Sequence, residues 1–467
     1  MYLPTIIKTI SKRLHEHKAK AIVVGGSVRD HFLKLPIKDY DIEVYGLENI
    51  ELLEKILSEL GSVNLVGKSF GVLKFVHDKE EYDFSFPRLE SKVGTGHRGF
   101  NVETDGNMTF KQAALRRDFT INAMGYDVEA KAFLDPFNAQ VDIDKQILRH
   151  IDDSSFVEDP LRVYRAVQFS ARFEYALAEE TKSLCKDMIE KRMLEELPKE
   201  RVYTEFKKLL LKAKKPSLGF ELMRELGVLQ YFPELQAIID VPQDPKWHPE
   251  GDVWTHTMMT VDAMQTEILH SSLFTLHSKD KLRLLFAILC HDLGKATTTA
   301  MDEEKGRLRA IGHEEAGIEL TRSFLYRLTS EHDFIESILP LVQHHQKPSQ
   351  FYTNGAKNNA IRRLATKVNI EELVIVAKAD FLGRTSPEAL SGVYEAGEWL
   401  LEKAKDLKVQ NKALDNLLQG RDLIALGLEP SPEFTKILDE VYELQIDGDV
   451  NTKEEALTYI ENRIANE

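Results

Sequence analysis

The feature that most restricts the fold is an apolar segment that runs into two glycines and is followed by a second apolar segment with two acids at alternate positions. Residues 21–46 read AIVVGGSVRDHFLKLPIKDYDIEVYG. Alternation along a strand places Asp39 and Asp41 on one face, within reach of one cation. Gly25 and Gly26 remove side chains where the first strand turns into a short helix, and the free N–H groups of a helix start bind anions. A carboxylate pair beside a phosphate site indicates metal-dependent nucleotide chemistry.

A third acid completes the set that such chemistry uses. Asp83, in the apolar segment EYDFSFPR, is the natural partner on a neighbouring strand. Mg²⁺ binds one or two carboxylates together with substrate phosphate oxygens, and two such ions clamp the attacking and leaving oxygens of a phosphoryl transfer. We therefore predict Asp39, Asp41 and Asp83 as catalytic residues. The alternative for Asp39 is that it caps the turn after LPIK.

The segment ALRRDFTINAM, residues 114–124, is predicted to be a helix. On a helix, Asp118 and Asn122 are four apart and share a face, and Arg117 is close enough to join them. These groups suit a triphosphate and a ribose hydroxyl. An exposed helix held by salt bridges explains the same pattern, and the residues alone leave both interpretations open.

Composition sets broad limits on the protein class. A chain of 467 residues is too long for one core, so two to four domains are expected. The formal net charge of −15 argues against a nucleic-acid partner, because phosphate binding favours a basic surface, although local patches can override a global sum. The two cysteines suit a reducing cytosol, so we expect a cytoplasmic protein, and no apolar run is long enough to predict a membrane partner.

Patterns along the chain predict the architecture. Residues 1–150 alternate helix and strand signals, which predicts an α+β head with a small mixed sheet. Within it, residues 90–115 are rich in Gly and polar side chains and are predicted to be a long loop. From about residue 151 the strand signal ends, so the remaining chain is predicted to be all-α.

Five motifs in order resemble one family. They are GGSVRD with DYD, then RRDFTIN, DPFNAQVDIDKQILRHI, EDPLRVYRAVQFSARF and ERVYTEF, and they cover roughly residues 20–215. This series resembles the class II tRNA nucleotidyltransferases, the bacterial-type CCA-adding enzymes with a polymerase-beta-like head. The resemblance implies that Asp39 and Asp41 hold Mg²⁺. It implies that the following residues bind the nucleotide: Gly25, Gly26, Ser27, Arg29, Arg117, Asp118, Asn122, Asp159, Arg162 and Arg165.

The stretch EDPLR allows two interpretations. Asp159 before Pro160 has the form of a helix N-cap followed by proline at the first helical position. In the functional interpretation, Asp159 and Arg162 lie three apart on one helical face and replace a template base. A carboxylate accepts hydrogen bonds and a guanidinium donates them, so the pair fits the amino group and ring acceptor of cytosine or adenine. Uracil and guanine present a carbonyl and a ring N–H at those places and are rejected.

Two further features bear on the RNA. In the resembled family the loop after the third carboxylate strand helps to switch from C to A addition, and residues 90–115 are long enough for that task, which favours a full CCA-adding enzyme. The lysine-rich segment LPKERVYTEFKKLLLKAKKP is either a solvated helix face or a track for tRNA phosphates. Its lysines are Lys207, Lys208, Lys212, Lys214 and Lys215.

The block from about residue 245 to 390 is rich in histidine. His and Asp adjacent at the end of an apolar helix cost burial energy unless a metal pairs with them, and imidazole with carboxylate suits Mn, Ni, Zn, Fe or Mg. In order along the chain, the pattern H…HD…D resembles the HD phosphohydrolase superfamily, and its residues are His256, His291, Asp292 and Asp380. His313, with His344 or His345, is predicted to complete a second metal site, and Lys295 to neutralise a phosphate ester.

These patterns predict a chain of four domains. They are the nucleotidyltransferase head at 1–150, a helical neck and body that binds nucleotide and tRNA at 151–240, an HD phosphohydrolase domain at 241–390 and a helical, RNA-binding tail at 391–467. The resemblance implies CCA addition to tRNA from CTP and ATP, with Mg²⁺ in the head and a transition metal or Mg²⁺ in the HD domain. By resemblance to CCA enzymes that carry an HD domain, the substrates of that domain are expected to include 2′,3′-cyclic phosphates and other small phosphoesters, hydrolysed to repair tRNA ends.

Two alternatives to this function stay open at the sequence level. One is an A-adding enzyme or a bacterial poly(A) polymerase, which shares the head. The other is an RNA-binding or regulatory protein in which only the HD site is active. The oligomeric state is also left open by the sequence.

Overall fold

The computed structural model describes residues 1–64, 71–92, 100–104, 106, 108–270 and 277–466. The described chain divides into two compact units. The first comprises residues 1–213 and 218–228, and the second residues 214–217 and 229–467. The predicted four-domain boundaries remain predictions, because this division is coarser than they are.

The head elements of the first unit alternate as predicted. In chain order they are α1 (Thr5–Glu16), β1 (Lys20–Val24), α2 (Gly26–Phe32), β2 (Tyr40–Tyr45), α3 (Ile50–Ser58), β3 (Ser62–Asn64), β4 (Val72–His77), β5 (Glu80–Ser85), β6 (Arg88–Lys92), β7 (Phe100–Thr104), α4 (Phe110–Ala114), β8 (Gly125–Asp127), β9 (Ala132–Leu134), α5 (Ala139–Asp144) and β10 (Ile147–Leu148).

Seven of the described strands form one mixed sheet, in the order β3-β4-β5-β2-β1-β8-β9. β2 and β5 are parallel, and their other neighbours in this sheet are antiparallel to them. The predicted small mixed sheet and polymerase-beta-like head are therefore confirmed.

Both faces of the central strand β1 are covered, which explains why its sequence is continuously apolar. Ala21 and Val23 join the main head core with α1 and α3, whereas Ile22 and Val24 join a second cluster with Met108. On β2, Ile42 and Val44 lie in the main core, whereas the opposite face carries Asp41 and Glu43 and ends in Tyr45 of the second cluster.

The predicted loop at 90–115 is wrong in part. β6 and β7 pair as an antiparallel hairpin, and α4 follows. Residues 93–99, 105 and 107 of this segment lie outside the described residues.

The rest of the first unit is helical apart from one short strand. Its elements are α6 (Asp153–Val157), α7 (Leu161–Phe173), β11 (Ala176–Leu177), α8 (Glu179–Glu190), α9 (Lys199–Lys212) and α10 (Ser217–Leu226). The short β11 pairs in parallel with β10, so the strand signal does not stop at residue 151 as predicted.

The second unit is helical apart from one hairpin. Its elements are α11 (Pro233–Gln236), α12 (Val253–His270), α13 (Ser278–Cys290), α14 (Lys295–Thr298), β12 (Thr299–Asp302), β13 (Arg307–Ala310), α15 (His313–Leu328), α16 (His332–His344), α17 (Lys347–Asn354), α18 (Asn358–Ala365), α19 (Ile370–Leu382), α20 (Pro387–Leu390), α21 (Glu395–Asp406), α22 (Gly420–Ala425), α23 (Glu433–Asp447) and α24 (Lys453–Asn466).

The second unit contains a hairpin and a separate hydrophobic cluster in its tail. The antiparallel hairpin β12–β13 interrupts the predicted all-α block. The tail has a hydrophobic cluster of its own, which includes Leu423, Val441 and Ile460. Among the described residues, no helix combines the length and the apolar character that crossing a membrane requires.

Candidate active sites

The head carboxylates meet where two parallel strands lie side by side. Asp41 of β2 is the direct partner of Asp83 of β5, and Asp39 lies one residue before β2 rather than within it. Loss of solvation, followed by the charge of Asp83, raises the pKa of Asp41. Lys74, opposite Asp83 on β4, has its pKa raised by its hydrogen bond to Glu81 and then by the charge of Asp83.

These carboxylates suit a hard cation. Adjacent negative charges that raise a pKa are relieved by a positive ion between them. Among the described residues, the three carboxylates do not form a set whose oxygens all lie within 4.8 Å of one another. Mg²⁺ does not need all three carboxylates within that distance, because it usually keeps waters and takes substrate phosphate oxygens as further ligands.

Gly25 lies beside both Arg117 and Asp41. Its φ of +69° belongs to a region that side chains disfavour, and a Cβ there would lie 3.0 Å from Nη1 of Arg117 and 3.8 Å from Oδ2 of Asp41. Gly26 begins α2, and the buried Ser27 hydroxyl donates to the carbonyl of Val24 over 3.1 Å. A phosphate contact by Ser27 stays a prediction.

Glu43 fixes the arginines that follow α4. It is 2% exposed, and its carboxylate accepts from Arg116 Nη2 at 3.0 Å, Arg117 Nη2 at 2.9 Å and the Tyr45 hydroxyl at 2.7 Å. This holds Arg117 beside Gly25. The sequence interpretation missed Glu43, although it is the third acid in the alternating run DYDIE.

The predicted helix at 114–124 is wrong. α4 ends at Ala114, and a turn leads to a short 3₁₀ helix, Thr120–Asn122. Asp118 and Asn122 nevertheless meet, because Nδ2 of Asn122 donates to Oδ1 of Asp118 over 3.0 Å. Nε of Arg165 donates to the other oxygen of Asp118 over 2.7 Å. Burial opposes ionisation of Asp118, but the charge of Arg165 and the bond from Asn122 hold its pKa below the usual value.

Arg29 continues this network into α2. It is 5% exposed, donates to Asn122 Oδ1 over 2.6 Å and to Asp30 Oδ1 over 2.9 and 2.7 Å, and lies against the rings of Phe169 and Phe173. In this arrangement Arg29 positions Asn122. Its direct contact with a triphosphate stays a prediction.

Asp159 and Arg162 flank the start of α7 and have separate partners. Oδ1 of Asp159 accepts from the N–H of Leu161 over 3.2 Å, and Oδ2 accepts from Arg201 over 2.9 Å. The guanidinium of Arg162 donates to the carbonyls of Ser155 and Arg116 over 2.6 and 2.5 Å. Asp159 thus bonds to the first turn of α7, although Pro160 rather than Asp159 is the N-cap residue, and base recognition by the pair requires exchange of these partners.

The lysines of the predicted RNA track differ in environment. Lys207 lies 4.4 Å from the ring of Tyr203, and Lys208 pairs with Glu205 at 2.7 Å. Burial and then the neighbouring Arg172 lower the pKa of Lys212, which marks a locally positive region. Lys214 and Lys215 belong to the second unit. RNA binding by these lysines stays a prediction.

The histidine block of the second unit forms a buried cluster. His256 lies on α12, His291 and Asp292 directly follow α13, and Asp380 lies near the end of α19. The Nε2 atom of His256 is 3.0 Å from Oδ1 of Asp380 and 3.8 Å from Oδ2 of Asp292. Nε2 of His291 is 3.2 Å from the same Asp292 oxygen. The four residues predicted for this site are therefore brought together.

A second group shares the same aspartate. Nε2 of His313 and of His345 lie 3.4 and 3.9 Å from Oδ1 of Asp292. Of the two histidines considered, the structure favours His345: His344 is outside every metal-binding group found among the described residues, so its assignment is corrected. Burial, followed by the charges of His291 and His313, lowers the pKa of His345 to about 3, which leaves a neutral imidazole.

The donor set fits transition metals or Mg²⁺. Nδ1 of His291, His313 and His345 contacts the backbone carbonyls of residues 288, 310 and 342 at 2.6–2.7 Å, so each ring is oriented with Nε2 inward. Nε2 of His345 and Oδ1 of Asp292 are buried without a hydrogen-bond partner among the described residues. Buried polar atoms that lack a hydrogen-bond partner are expected where an ion binds.

Charged neighbours hold the carboxylates in place. Lys295 Nζ is 2.7 Å from Asp292, and Arg384 donates to both oxygens of Asp380 over 3.0 Å. Burial opposes ionisation of Asp380, but the charge of Arg384 together with the hydrogen bond and charge of His256 keeps the pKa of Asp380 well below its usual range. Glu250 lies 2.8 Å from Nδ1 of His256 and orients that ring.

Gly294 brings two backbones into contact at this centre. A Cβ at Gly294 would lie 2.0 Å from the carbonyl oxygen of His313 and 2.7 Å from the N–H nitrogen of Gly317. The turn that carries His291 and Asp292 is therefore packed directly on the first turn of α15.

Comparisons with known proteins identify a family domain in each of the two units. Residues 21–149 match the poly A polymerase head domain, residues 174–239 match "Probable RNA and SrmB- binding site of polymerase A", and residues 253–384 match the HD domain. A multifunctional CCA protein from Pseudoalteromonas atlantica is 35% identical over 377 residues, covering 78% of this chain and 86% of that protein. The chain belongs to the multifunctional CCA protein family.

Other multifunctional CCA proteins and solved structures extend the likeness. The protein of that name from Methylobacillus flagellatus is 37% identical over 329 residues, which is 70% of this chain and 74% of that protein. The Bacillus stearothermophilus CCA-adding enzyme in complex with CTP has a TM-score of 0.68 at 20% identity and covers 100% of this chain and 99% of its own. The Thermotoga maritima CCA-adding enzyme complexed with tRNA has a TM-score of 0.60 at 21% identity, covering 99% and 96%. These structures share the fold.

Several residues of this multifunctional CCA protein family member were missed by sequence reasoning. They are supporting groups that hold a predicted residue: Glu43 for Arg117, Arg201 for Asp159, Glu250 for His256 and Arg384 for Asp380. Arg384 was signalled by its spacing of four from Asp380. Arg201 lies 42 residues from Asp159 and had no local signal.

Proposed function

We propose that this chain adds C, C and A to the 3′ end of tRNA without a nucleic-acid template, using CTP and ATP. The observation that carries the proposal is the direct pairing of Asp41 with Asp83 beside Gly25, whose missing side chain leaves space next to Arg117. Membership of the multifunctional CCA protein family supports the choice of reaction.

The chemistry follows from these positions. In the reaction the 3′ oxygen of the RNA bonds to the α-phosphorus of the nucleotide, and the bond to pyrophosphate breaks. Mg²⁺ held by Asp39, Asp41 and Asp83 would supply charge neutralisation on the phosphate oxygens. Arg117, fixed by Glu43, presents a guanidinium to the same anion.

We assign selection of the incoming nucleobase to Asp159 and Arg162 at the start of α7. Asp159 supplies an acceptor and Arg162 a set of donors, which match cytosine and adenine but not uracil and guanine. Arg201 holds the carboxylate in place through a bond of 2.9 Å. Arg162→Ala should increase incorporation of UMP and GMP relative to CMP more than it weakens triphosphate binding.

One assay tests this function against its alternatives. Transfer RNAs lacking one, two or three terminal nucleotides are offered CTP and ATP, separately and together, with UTP and GTP as controls. Sequential addition of C, C and A is expected, and Asp41→Asn should abolish it. Failure to add C to tRNA that lacks all three nucleotides would select an A-adding enzyme or poly(A) polymerase. Extension with U as readily as with C would refute selection by Asp159 and Arg162.

We also propose a phosphohydrolase activity in the second unit. It is supported by the buried, inward-facing ligands on Asp292 and by the adjacent cation Lys295. A divalent metal bound by His256, His291, Asp292 and Asp380 would activate water toward a phosphate ester. The water oxygen bonds to phosphorus, one ester P–O bond breaks, and the leaving oxygen takes a proton. Lys295 and Arg384 are placed to balance the phosphate charge.

CCA addition serves as the control when the phosphohydrolase activity is tested. Hydrolysis of nucleoside 2′,3′-cyclic phosphates by the full chain is measured with Mg²⁺, Mn²⁺, Ni²⁺ or Zn²⁺, which also identifies the metal. Asp292→Asn should lose hydrolysis and retain CCA addition, whereas Asp41→Asn should do the reverse. Together the activities suit repair of tRNA ends in the cytoplasm. No hydrolysis with any of these metals would leave nucleotidyl transfer as the enzyme's activity.

A further inference from the structure

A cavity of about 450 Å³ opens beside the histidine cluster of the second unit. Its inner lining includes His248, His313, Lys295 and Arg384, which are members or immediate neighbours of the metal-binding groups. Cavities of this size accommodate small organic ligands. A ligand in this cavity therefore has one end at the proposed site of phosphoester hydrolysis.

The charge of the lining suits a phosphate. Four cations line the cavity, Lys295, Arg307, Arg309 and Arg384, and each has a carboxylate partner, which is Asp292, Asp244, Asp302 and Asp380 respectively. A divalent metal bound by Asp292 and Asp380 would offset the charge of these two carboxylates, which leaves Lys295 and Arg384 available to a phosphate. Two such cations attract anionic ligands.

A different part of the lining is apolar and exposed. Trp247 is 50% exposed and Ile311 is 67% exposed, although both are large hydrophobic side chains. Nothing in phosphate chemistry requires an indole or a branched aliphatic group. An exposed aromatic ring beside an anion site is the arrangement by which proteins stack a base attached to a phosphate.

One turn links Trp247 to the metal centre. The carbonyl of Asp244 accepts from the N–H groups of Trp247 at 3.0 Å and His248 at 2.9 Å, and its carboxylate accepts from the N–H of Lys246 at 2.9 Å. His248, the next residue, contacts Glu250 at 2.9 Å inside the metal-binding cluster. The backbone of Trp247 is thus fixed one residue away from that cluster, and the indole lines the cavity.

We propose that Trp247 stacks on the nucleobase of the phosphoester that the second unit hydrolyses, so that Trp247 and Ile311 determine specificity for nucleotides. This proposal rests on the phosphohydrolase function proposed above. The ammonium of Lys246 lies 5.3 Å from the centre of the indole ring, and the base occupies the opposite face. The substrate is a nucleotide with its phosphate on the ribose, either free or at the 3′ end of an RNA.

The kinetic test separates recognition of the base from catalysis. The full chain, supplied with divalent metal, is assayed with a nucleoside 2′,3′-cyclic phosphate and with glycerol 1,2-cyclic phosphate, which has no base. Trp247→Ala should raise KM for the nucleotide about tenfold, as expected for loss of one stacked base, with kcat within twofold of the parent value. The glycerol ester should show no change, and Trp247→Phe should restore most of the loss.

The control is Met301→Ala. Met301 is an exposed hydrophobic residue, 58% exposed, on the adjacent hairpin but outside the cavity lining, and its replacement should change neither substrate. A short oligoribonucleotide ending in a 2′,3′-cyclic phosphate, compared with the mononucleotide, shows which source of the base is stacked. A loss in Trp247→Ala that is equal for the glycerol ester, or no loss for either nucleotide substrate, would overturn the proposal.

Binding distinguishes failure of this proposal from failure of the hydrolase function. If the parent hydrolyses neither ester, the dissociation constant for adenosine 2′-monophosphate is measured by calorimetry for the parent and for Trp247→Ala. Weaker binding by about tenfold in the variant, with unchanged binding of inorganic phosphate, upholds stacking without hydrolysis. Equal binding in the two proteins refutes it.

Discussion

Replacing Glu43 should destabilise the first unit because it removes a buried carboxylate that two partly buried arginines share. Arg116 and Arg117 have side chains that are 18% and 15% exposed, and both donate to one oxygen of Glu43. Removing one partner of a buried ion pair costs about 3 kcal/mol at the lower end of the usual range. With a urea dependence of about 3 kcal/mol per M for a unit of this size, Glu43→Ala should lower the unfolding midpoint by about 1 M.

The two cysteines report on the two units separately. Cys185 lies in the first unit and Cys290 in the second, and both thiols are fully buried, with pKa values that burial raises. Alkylation as a function of urea, read by peptide mass spectrometry, gives a midpoint for each unit. Glu43→Ala should shift the midpoint of Cys185 and leave that of Cys290 unchanged. Glu43→Gln, which retains the shape, should give a smaller shift.

The matched control lies in the same sheet. Glu81 pairs with Lys74 at 3.4 Å, but these side chains are 64% and 43% exposed, and such pairs contribute little to stability. Glu81→Ala should therefore leave both midpoints in place. Glu43→Ala should also raise KM for CTP, because Arg117 loses its anchor. Equal effects of the two substitutions on the Cys185 midpoint would refute the reasoning.

Three further predictions follow from the sites. Gly25→Ala should raise KM for CTP in the incorporation assay, since its positive φ costs of order 1–3 kcal/mol and its Cβ meets Arg117 at 3.0 Å; an unchanged KM contradicts this. Because its pKa is lowered in the folded state, ionised Asp118 stabilises the fold above about pH 4, and this stabilisation is lost as the pH falls through the folded pKa. Stability measured by circular dichroism as a function of pH should therefore show that Asp118→Asn is less stable than the parent at pH 7. The two stabilities should converge toward pH 2. His345→Ala should lower bound divalent metal per chain, measured by elemental analysis after dialysis, whereas His344→Ala should not; equal metal content refutes the assignment.

The sequence identified those site residues whose geometry depends on local periodicity. Alternation in DYD and the apolar strand around Asp83 were enough to place Asp41 and Asp83 side by side, because neighbouring strands align their faces. Asp159 before Pro160 likewise marked the start of a helix. In each case the signal lies within a few residues.

The errors arose where tertiary partners decide local structure. Residues 114–124 have helical spacing, but Glu43 draws Arg116 and Arg117 to the sheet, and a turn with a 3₁₀ helix satisfies the same i, i+4 contact between Asp118 and Asn122. The pattern alone does not separate the two.

The choice between His344 and His345 shows a second limit. Adjacent residues at a helix end point in directions about 100° apart. The rotation of α16 about its axis therefore decides which of the two imidazoles points toward Asp292. That rotation is set by packing. The hairpin β12–β13 was missed for a related reason: two four-residue strands in a helical block give too short an alternation to detect.

The contact at Gly294 has a consequence for how the histidine centre responds to change. Because main-chain atoms touch main-chain atoms there, the turn bearing Asp292 and the beginning of α15 have no freedom to slide past each other. The predicted ligands on either side of this contact, His291 and Asp292 on the turn and His313 on α15, are therefore expected to keep a fixed separation. A change in that separation would require the main chain itself to move, so a larger side chain at Gly294 is expected to push the two predicted halves of the metal site apart.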